Sequence, residues 1–386
     1  MATKKKEKKS KSAAAEKNSS KIRYALVGLG HIAQTAVLPG FANAKENSEI
    51  TALVSDDEEK LKKLAKKYKI KHTYTYAQYD ECLQSGAIDA VYIALPNHLH
   101  REYTERAAKA GIHVLCEKPL AVTAKDAQAM IDVCQKNNVK LMTAYRLHFE
   151  RANLEAVRIA QSGDLGELKA FNSSFGYTVD ADNIRLYDED IGGGPVYDIG
   201  VYCINASRYL FRDVPTEVYA IGTKTNDKRT QKIDDTVSAV LRYPGERTAS
   251  FTVSFTSAPV AFFEVLGTKG VMCLEQAYEY TETRELEIEF ANGKSKSRSF
   301  KKTDQFGPEL IYFSECILED RSPEPGGLEG LIDVKIVEAI LESIDSGRPV
   351  KVNLEKKRQN PDPAQEITRR AIREPKPVNA KNPSIN

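Results

Sequence analysis

The chain has no CxxC pair, no long apolar run and almost no net charge. Its six cysteines (82, 116, 134, 203, 273 and 316) are scattered, with no paired spacing. That argues against a zinc site and for reduced thiols in a cytosol-like compartment. His98 and His100 have no third candidate ligand nearby, so no metal is expected. No apolar core follows the Lys-rich start, and there is no twin-Arg. Neither a secretion signal nor a membrane span is expected, and the expected location is cytoplasmic. The formal charge is +2 over 386 residues, but residues 1–20 hold seven Lys and two Glu, so the other 366 carry a net −3. A folded body of that charge is not expected to bind nucleic acid through its surface.

What is present is the composition of a soluble globular protein, 41% apolar and 28% charged. The length suits two domains with full cores. Residues 1–20 are low in complexity and without aromatics, and are expected to be a disordered basic tail.

Order is expected from residue 21. Ile22-Arg-Tyr-Ala-Leu-Val27 reads as a strand, then Gly28-Leu-Gly30-His-Ile-Ala33 opens an apolar-periodic helix. This is the G-x-G-x-x-A dinucleotide fingerprint in its required strand–helix context. The first glycine makes the turn, the second admits a pyrophosphate, and the small third residue lets helix and strand pack. The next strand, Ile50–Val54, ends at Ser55-Asp56-Asp57, with Lys60 and Lys62 just beyond. Ser55 with a lysine suits a ribose 2′-phosphate, whereas the aspartates oppose it. Both aspartates also suit helix capping, and local charge does not settle the choice.

Further strands run to Leu95, to Leu115 and over Val139–Ala144, alternating with helices 101–110 and 124–137. The alternation predicts a doubly wound parallel sheet over residues 21–145. Polar residues cluster at its strand ends, in Pro96-Asn97-His98-Leu99-His100 and in Cys116-Glu117-Lys118-Pro119. In such a sheet that edge is where ligands bind. Thr123-Ala-Lys-Asp126 then has the pattern of a helix start.

The pattern changes after a helix from about Tyr145 to Ser162, stopped by Gly163. Strand-like runs dominate, joined by turns such as Pro244-Gly245 and Ala291-Asn-Gly293. They predict an α+β domain over residues 146–350 with an open, mostly antiparallel sheet. Its free face is expected to make a homodimer or homotetramer. One helix interrupts the strands, led in by Gly192-Gly-Gly194-Pro195, with Asp198 and Tyr202 four apart on one face. A last amphipathic helix spans 328–346. The remainder, 351–386, holds five prolines and is expected to run over the surface as extended chain.

Together these residues resemble the glucose–fructose oxidoreductase, inositol dehydrogenase and rhizopine-catabolism family over about residues 22–350. The resemblance rests on Gly28-Leu-Gly30, Leu95-Pro-Asn-His-Leu-His100, Cys116-Glu-Lys-Pro119 and Gly192-Gly-Gly-Pro-Val-Tyr-Asp198-Ile-Gly-Val-Tyr202. Ala52-Leu-Val-Ser55, Tyr145-Arg146-x-His148, Arg185-Leu186 and a tyrosine at 202 are similar to the glucose–fructose oxidoreductase branch. The resemblance implies an NADP-using oxidoreductase of small sugars, with NAD as the alternative cofactor. It implies Lys118, Asp198 and Tyr202 as the catalytic group, Tyr202 carrying the proton and Asp198 binding the sugar and supporting it. Gly28, Gly30, His31, Ile32, Ser55, Lys60, Leu95, Pro96, Asn97, His100, Glu117, Lys118 and Arg146 would border the cofactor. Lys118, Arg146, Arg185, Asp198 and Tyr202 would meet the sugar. A non-catalytic, ligand-binding relative would have lost Lys118 or the proton carrier, and both are present. Exported members of the branch carry an N-terminal arm folded over the cofactor. Residues 1–20 match no such arm, so cofactor is expected to leave slowly rather than never. Some relatives carry an indole before the matching arginine; the chain has no Trp, and Ile184 stands there.

Overall fold

The structure, a computed structural model, describes residues 21–385 apart from 182, 187–188, 226–228 and 357–358. The expected tail 1–20 and the Ile184 side chain lie outside the described residues.

Six strands make the first sheet: β1 (Ile22–Val27), β2 (Ser48–Val54), β3 (His72–Tyr74), β4 (Ala90–Ile93), β5 (His113–Glu117) and β6 (Leu141–Ala144). All pair in parallel, in the order β3-β2-β1-β4-β5-β6. Parallel strands covered on both faces must be apolar on both, and β4 is buried at every residue. The order reverses between β1 and β4, which opens a crevice at the strands' C-terminal ends. Gly28, Asn97 and Lys118 all follow strands at that edge. The predicted cap is in place, since the Thr123 hydroxyl accepts from the Asp126 N–H at 3.1 Å and starts helix Ala124–Lys136. β3 was not expected; three residues are too few to show a period.

The second sheet is built from β7 (Leu168–Thr178), β8 (Glu217–Thr223), β9 (Thr236–Tyr243), β10 (Arg247–Ser254), β11 (Thr256–Gly267), β12 (Gly270–Glu275), β13 (Arg284–Phe290) and β14 (Ser295–Phe300). Short strands β15 (Thr303–Asp304), β16 (Val350–Lys351) and β17 (Arg369–Arg370) follow, β16 joining this sheet and β15 pairing with β17. Gly163 ends helix Arg151–Ser162 in a left-handed conformation, as its position predicted. β9 alternates cleanly, burying Val237, Ala239, Leu241 and Tyr243 and exposing the residues between. The sheet is mostly antiparallel, but β7 and β10 pair in parallel. They are far apart in sequence, so no hairpin turn could reveal the pairing.

One boundary needs correction. Helix Phe306–Leu318, inside the range given to the second domain, packs on the first sheet. Its Phe306, Leu310, Ile311 and Phe313 share a core with Tyr24, Leu26 and Leu53. The Ser314 hydroxyl bonds the Tyr24 hydroxyl at 2.7 Å and that of Ser48 at 2.8 Å. Gly307-Pro308 reads as a turn, but proline is tolerated in a first helical turn. Asp304 caps the helix, accepting from the N–H groups of Phe306 and Gly307 at 3.0 and 3.1 Å. Among the described residues, no helix is long and apolar enough to cross a membrane, and no group of three His, Cys, Asp or Glu could hold a metal ion.

Candidate active site

The buried run Val114-Leu115-Cys116 carries β5 to the crevice and leaves Lys118 at its rim. The opposite wall comes from the second domain. Pro195 leads into a wide-turned helical stretch, Val196–Gly200, continued by helix Val201–Phe211. Lys118 reaches across. Its Nζ lies 2.7 Å from the Asp198 carbonyl oxygen and 3.2 Å from Asp198 Oδ1. It also sits over the Tyr202 ring, 4.8 Å from the centroid. The three residues predicted as the catalytic group therefore meet, although 80 positions separate Lys118 from Asp198.

Asp198 is crowded. Its Oδ1 also meets Arg185 Nε at 2.8 Å, and its Oδ2 accepts from the Tyr177 hydroxyl at 2.7 Å. Burial alone would raise its carboxyl, but Arg185, Lys118 and the Tyr177 hydroxyl outweigh that and hold it well below the usual range. Asp198 thus stays an anion and pins the ammonium. Its link to Tyr202 runs through Lys118.

Tyr177 was not foreseen. It stands near the end of β7 in a pattern that signals only a strand. Burial, with Asp198 alongside, pushes its phenol well above the usual value, so it donates to the carboxylate.

Arg146 departs from the expected sugar contact. It is 6% exposed, and its guanidinium lies 5.1 Å from the Tyr202 ring and 5.5 Å from that of Tyr280. Its N–H groups go to the Gln305 side chain and the Tyr278 carbonyl. It braces Tyr202 from within the protein. His148, singled out beside it, is buried and bonded to Asn205 at 2.8 Å.

His100 also departs from expectation. Its ring is fully buried, with Nε2 2.9 Å from the Leu95 carbonyl and Nδ1 3.0 Å from that of Pro119. It ties the ends of β4 and β5 together instead of lining the crevice. Asn97 does face the second domain, giving its amide N–H to the Gly192 carbonyl at 2.9 Å. This contact explains the glycine there. Gly192 has φ +78°, and a Cβ would meet Asn97 Nδ2 at 2.8 Å.

The residues fit a dinucleotide. Gly28 has φ +93°, and a Cβ on it would meet the Ala94 carbonyl oxygen at 2.5 Å. A Cβ on Gly30 would meet nothing within 4 Å, which leaves open space where a pyrophosphate approaches backbone. His31 and Ile32 are half-buried at the same turn, and burial lowers the His31 imidazole. Ser55 is buried, its hydroxyl accepting from the Asp57 N–H at 3.2 Å. Asp57 caps the next helix through the Lys60 N–H at 2.9 Å, and Asp56 accepts from the Tyr76 N–H at 2.8 Å. Both aspartates are thus occupied as caps and turn acceptors. Lys60 Nζ lies 3.7 Å from Asp57 Oδ2. Leu95 is buried beside Pro96, and Glu117 accepts from the Tyr92 hydroxyl at 2.8 Å.

Behind Glu117 lies an acid that was not foreseen. Glu309 is fully buried, and neither carboxyl oxygen has a hydrogen-bond partner. Burial, with Glu117 adding to it and Arg146 opposing, pushes this carboxyl well above the usual range. Unfolded, it ionises near pH ~4.3. Above that pH folding takes up a proton, so stability falls as pH rises toward the folded value. Glu309→Gln removes the uptake and keeps the shape. It is expected to raise the melting temperature near pH ~8 more than near pH ~4; equal shifts at both would exclude the protonated acid.

Comparison with known proteins identifies the family. The family model described as the oxidoreductase family with an NAD-binding Rossmann fold matches residues 22–145, and the GFO/IDH/MocA C-terminal domain matches 153–273. D-xylose 1-dehydrogenase [NADP(+)] of Haloarcula marismortui is 31% identical over 86% of this chain and 93% of its own. The crystal structure of an aldose-aldose oxidoreductase from Caulobacter crescentus is 36% identical, with TM-score 0.82, covering 86% of this chain and 100% of that one. A 3-ketoreductase from Actinomadura kijaniata in complex with NADP is 26% identical, with TM-score 0.76, over 84% and 98%. The chain belongs to the GFO/IDH/MocA oxidoreductase family.

Proposed function

We propose that this protein is an NADP-dependent oxidoreductase of aldose sugars. The observation that carries the reading is the Lys118 ammonium, held by Asp198 against the face of Tyr202. A bound nicotinamide would supply the redox chemistry. The chain supplies the rest. Two contacts of Lys118 go to Asp198, and an ammonium has three N–H donors. The third is aimed at a sugar oxygen, where it stabilises negative charge as it develops. The Tyr202 hydroxyl takes or returns the proton of that oxygen. Arg185 and Tyr177 keep Asp198 from turning, so the ammonium does not swing away. Asp198 and Arg185 bind the remaining hydroxyls.

The relatives named above act on xylose, on aldoses and on a keto group, which supports the sugar class. Purified protein mixed with an aldose panel should produce reduced nicotinamide, faster with NADP than with NAD. No reduction with any aldose sinks the reading. A second assay omits added cofactor and offers an aldose with a second carbonyl sugar. Lactone and alditol appearing together mean that one site serves both sugars in turn. Turnover that tracks added NADP means an ordinary dissociating dehydrogenase.

The open face of the second sheet carries an apolar patch. Tyr219, Ile221 and Val240 are 39%, 55% and 46% exposed, and Tyr219 pairs with Val240 across β8 and β9. We assign this face to a homodimer or homotetramer. Ile221→Lys should shift sedimentation toward monomer; an unchanged profile places the contact elsewhere. The six cysteines are free and five are buried, which suits a reducing cytoplasm.

A further inference from the structure

The C-terminal segment runs along the cofactor edge of the first domain and then crosses to the second. It starts at β17, where Arg369 Nε meets the Asn43 carbonyl at 3.2 Å. Glu374 bonds Lys302 at 3.2 Å and, with Ile372, walls a small cavity against Thr35 and Tyr280. The Val378 backbone then clasps Gln34. Its N–H donates to Gln34 Oε1 at 2.7 Å, and its carbonyl accepts from Nε2 at 2.9 Å. The same Nε2 lies 2.8 Å from the Leu29 carbonyl, inside the fingerprint turn.

One residue on, Asn379 Nδ2 lies 2.8 Å from Glu59 Oε2 and 3.3 Å from Asp57 Oδ2. The chain then leaves the first domain. The Pro383 carbonyl accepts from the Asp180 N–H at 2.9 Å, and the Ile385 N–H donates to the Thr178 carbonyl at 3.1 Å. That lip adjoins Tyr177 and the loop that carries Arg185. The segment is therefore pinned at the fingerprint, at the end of β2 and on the opposite wall. A dinucleotide lies along the edge between those points.

We propose that residues 372–385 form the outer wall of the dinucleotide site, and that Asn379 is a specificity-determining residue within it. The proposal rests on the reading that the protein binds NADP. Asn379 draws the Asp57 and Glu59 carboxylates toward the tail. Its amide N–H groups offset part of the negative charge that opposes a 2′-phosphate, and they hold the wall down where the phosphate sits. Nucleotide leaves only when these bonds open, which gives slow release a physical cause.

Release of NADPH, followed by its fluorescence in stopped flow, tests this on three proteins: the full chain, a chain ending at Arg373, and Asn379→Asp. Truncation should speed release at least about tenfold, the scale of one or two hydrogen bonds to charged acceptors. Asn379→Asp places a third carboxylate beside two others. It should also speed release and lower the ratio of NADP to NAD affinity. Asn379 is exposed, so the nucleotide-free melting temperature should fall by no more than a few degrees. Release and affinity ratio unchanged in Asn379→Asp overturn the proposal, even if the shortened chain fails to fold. A full chain that binds no NADPH overturns the cofactor reading itself.

Discussion

Tyr202→Phe is expected to lower kcat by at least about 100-fold, the scale of losing a positioned acid or base. The substitution removes one oxygen and keeps the ring. That ring is 9% exposed and packs edge-on against Phe175, with centroids 5.8 Å apart, between Lys118 and Arg146. Phenylalanine preserves those contacts, so the melting temperature should stay close to wild type. The loss should fall on kcat more than on KM, because a proton carrier acts in the transition state. Turnover near wild type would remove Tyr202 from the chemistry. The proton would then have to pass through Lys118 or through water.

Lys118→Ala is expected to cost at least as much, again about 100-fold or more. The site should survive the change. Asp198 keeps Arg185 at 2.8 Å and the Tyr177 hydroxyl at 2.7 Å, so no unpaired buried anion is left behind. What disappears is the point charge between the carboxylate and the phenol ring. Lys118→Arg should not restore turnover, because a planar fork cannot place one donor where an ammonium stood. Full rescue by arginine would show that the site needs only a positive charge, and that the geometry at Asp198 is incidental.

Much of this protein was legible in its residues. Hydrophobic period marked the six-strand sheet apart from β3, and the Gly28-x-Gly30 turn sits where the fingerprint requires it. The cap at Thr123, the stop at Gly163 and the turns at Gly245 and Gly293 all follow from local chemistry. These signals are short in range, because a turn, a cap or a period is encoded within a few residues. The grouping of Lys118 with Asp198 and Tyr202 was implied only by the family resemblance, because the two sides of the contact lie 80 positions apart.

Tertiary structure alone decided the rest. The parallel pairing of β7 with β10 depends on which surfaces bury each other, and no local residue states it. Helix Phe306–Leu318 joined the first domain because its apolar faces fit against β1 and β2. His100 by its position and Arg146 by the family resemblance were expected to be ligand contacts, but packing turned both inward. Tyr177 and Glu309 carried no motif, and only their neighbours show what they are. The proline-rich end was expected over the surface as extended chain, but its residues did not say what it touches. Its place over the cofactor edge is set by Gln34, Asp57 and Thr178, which lie hundreds of residues earlier in the chain and come within hydrogen-bonding distance only after folding.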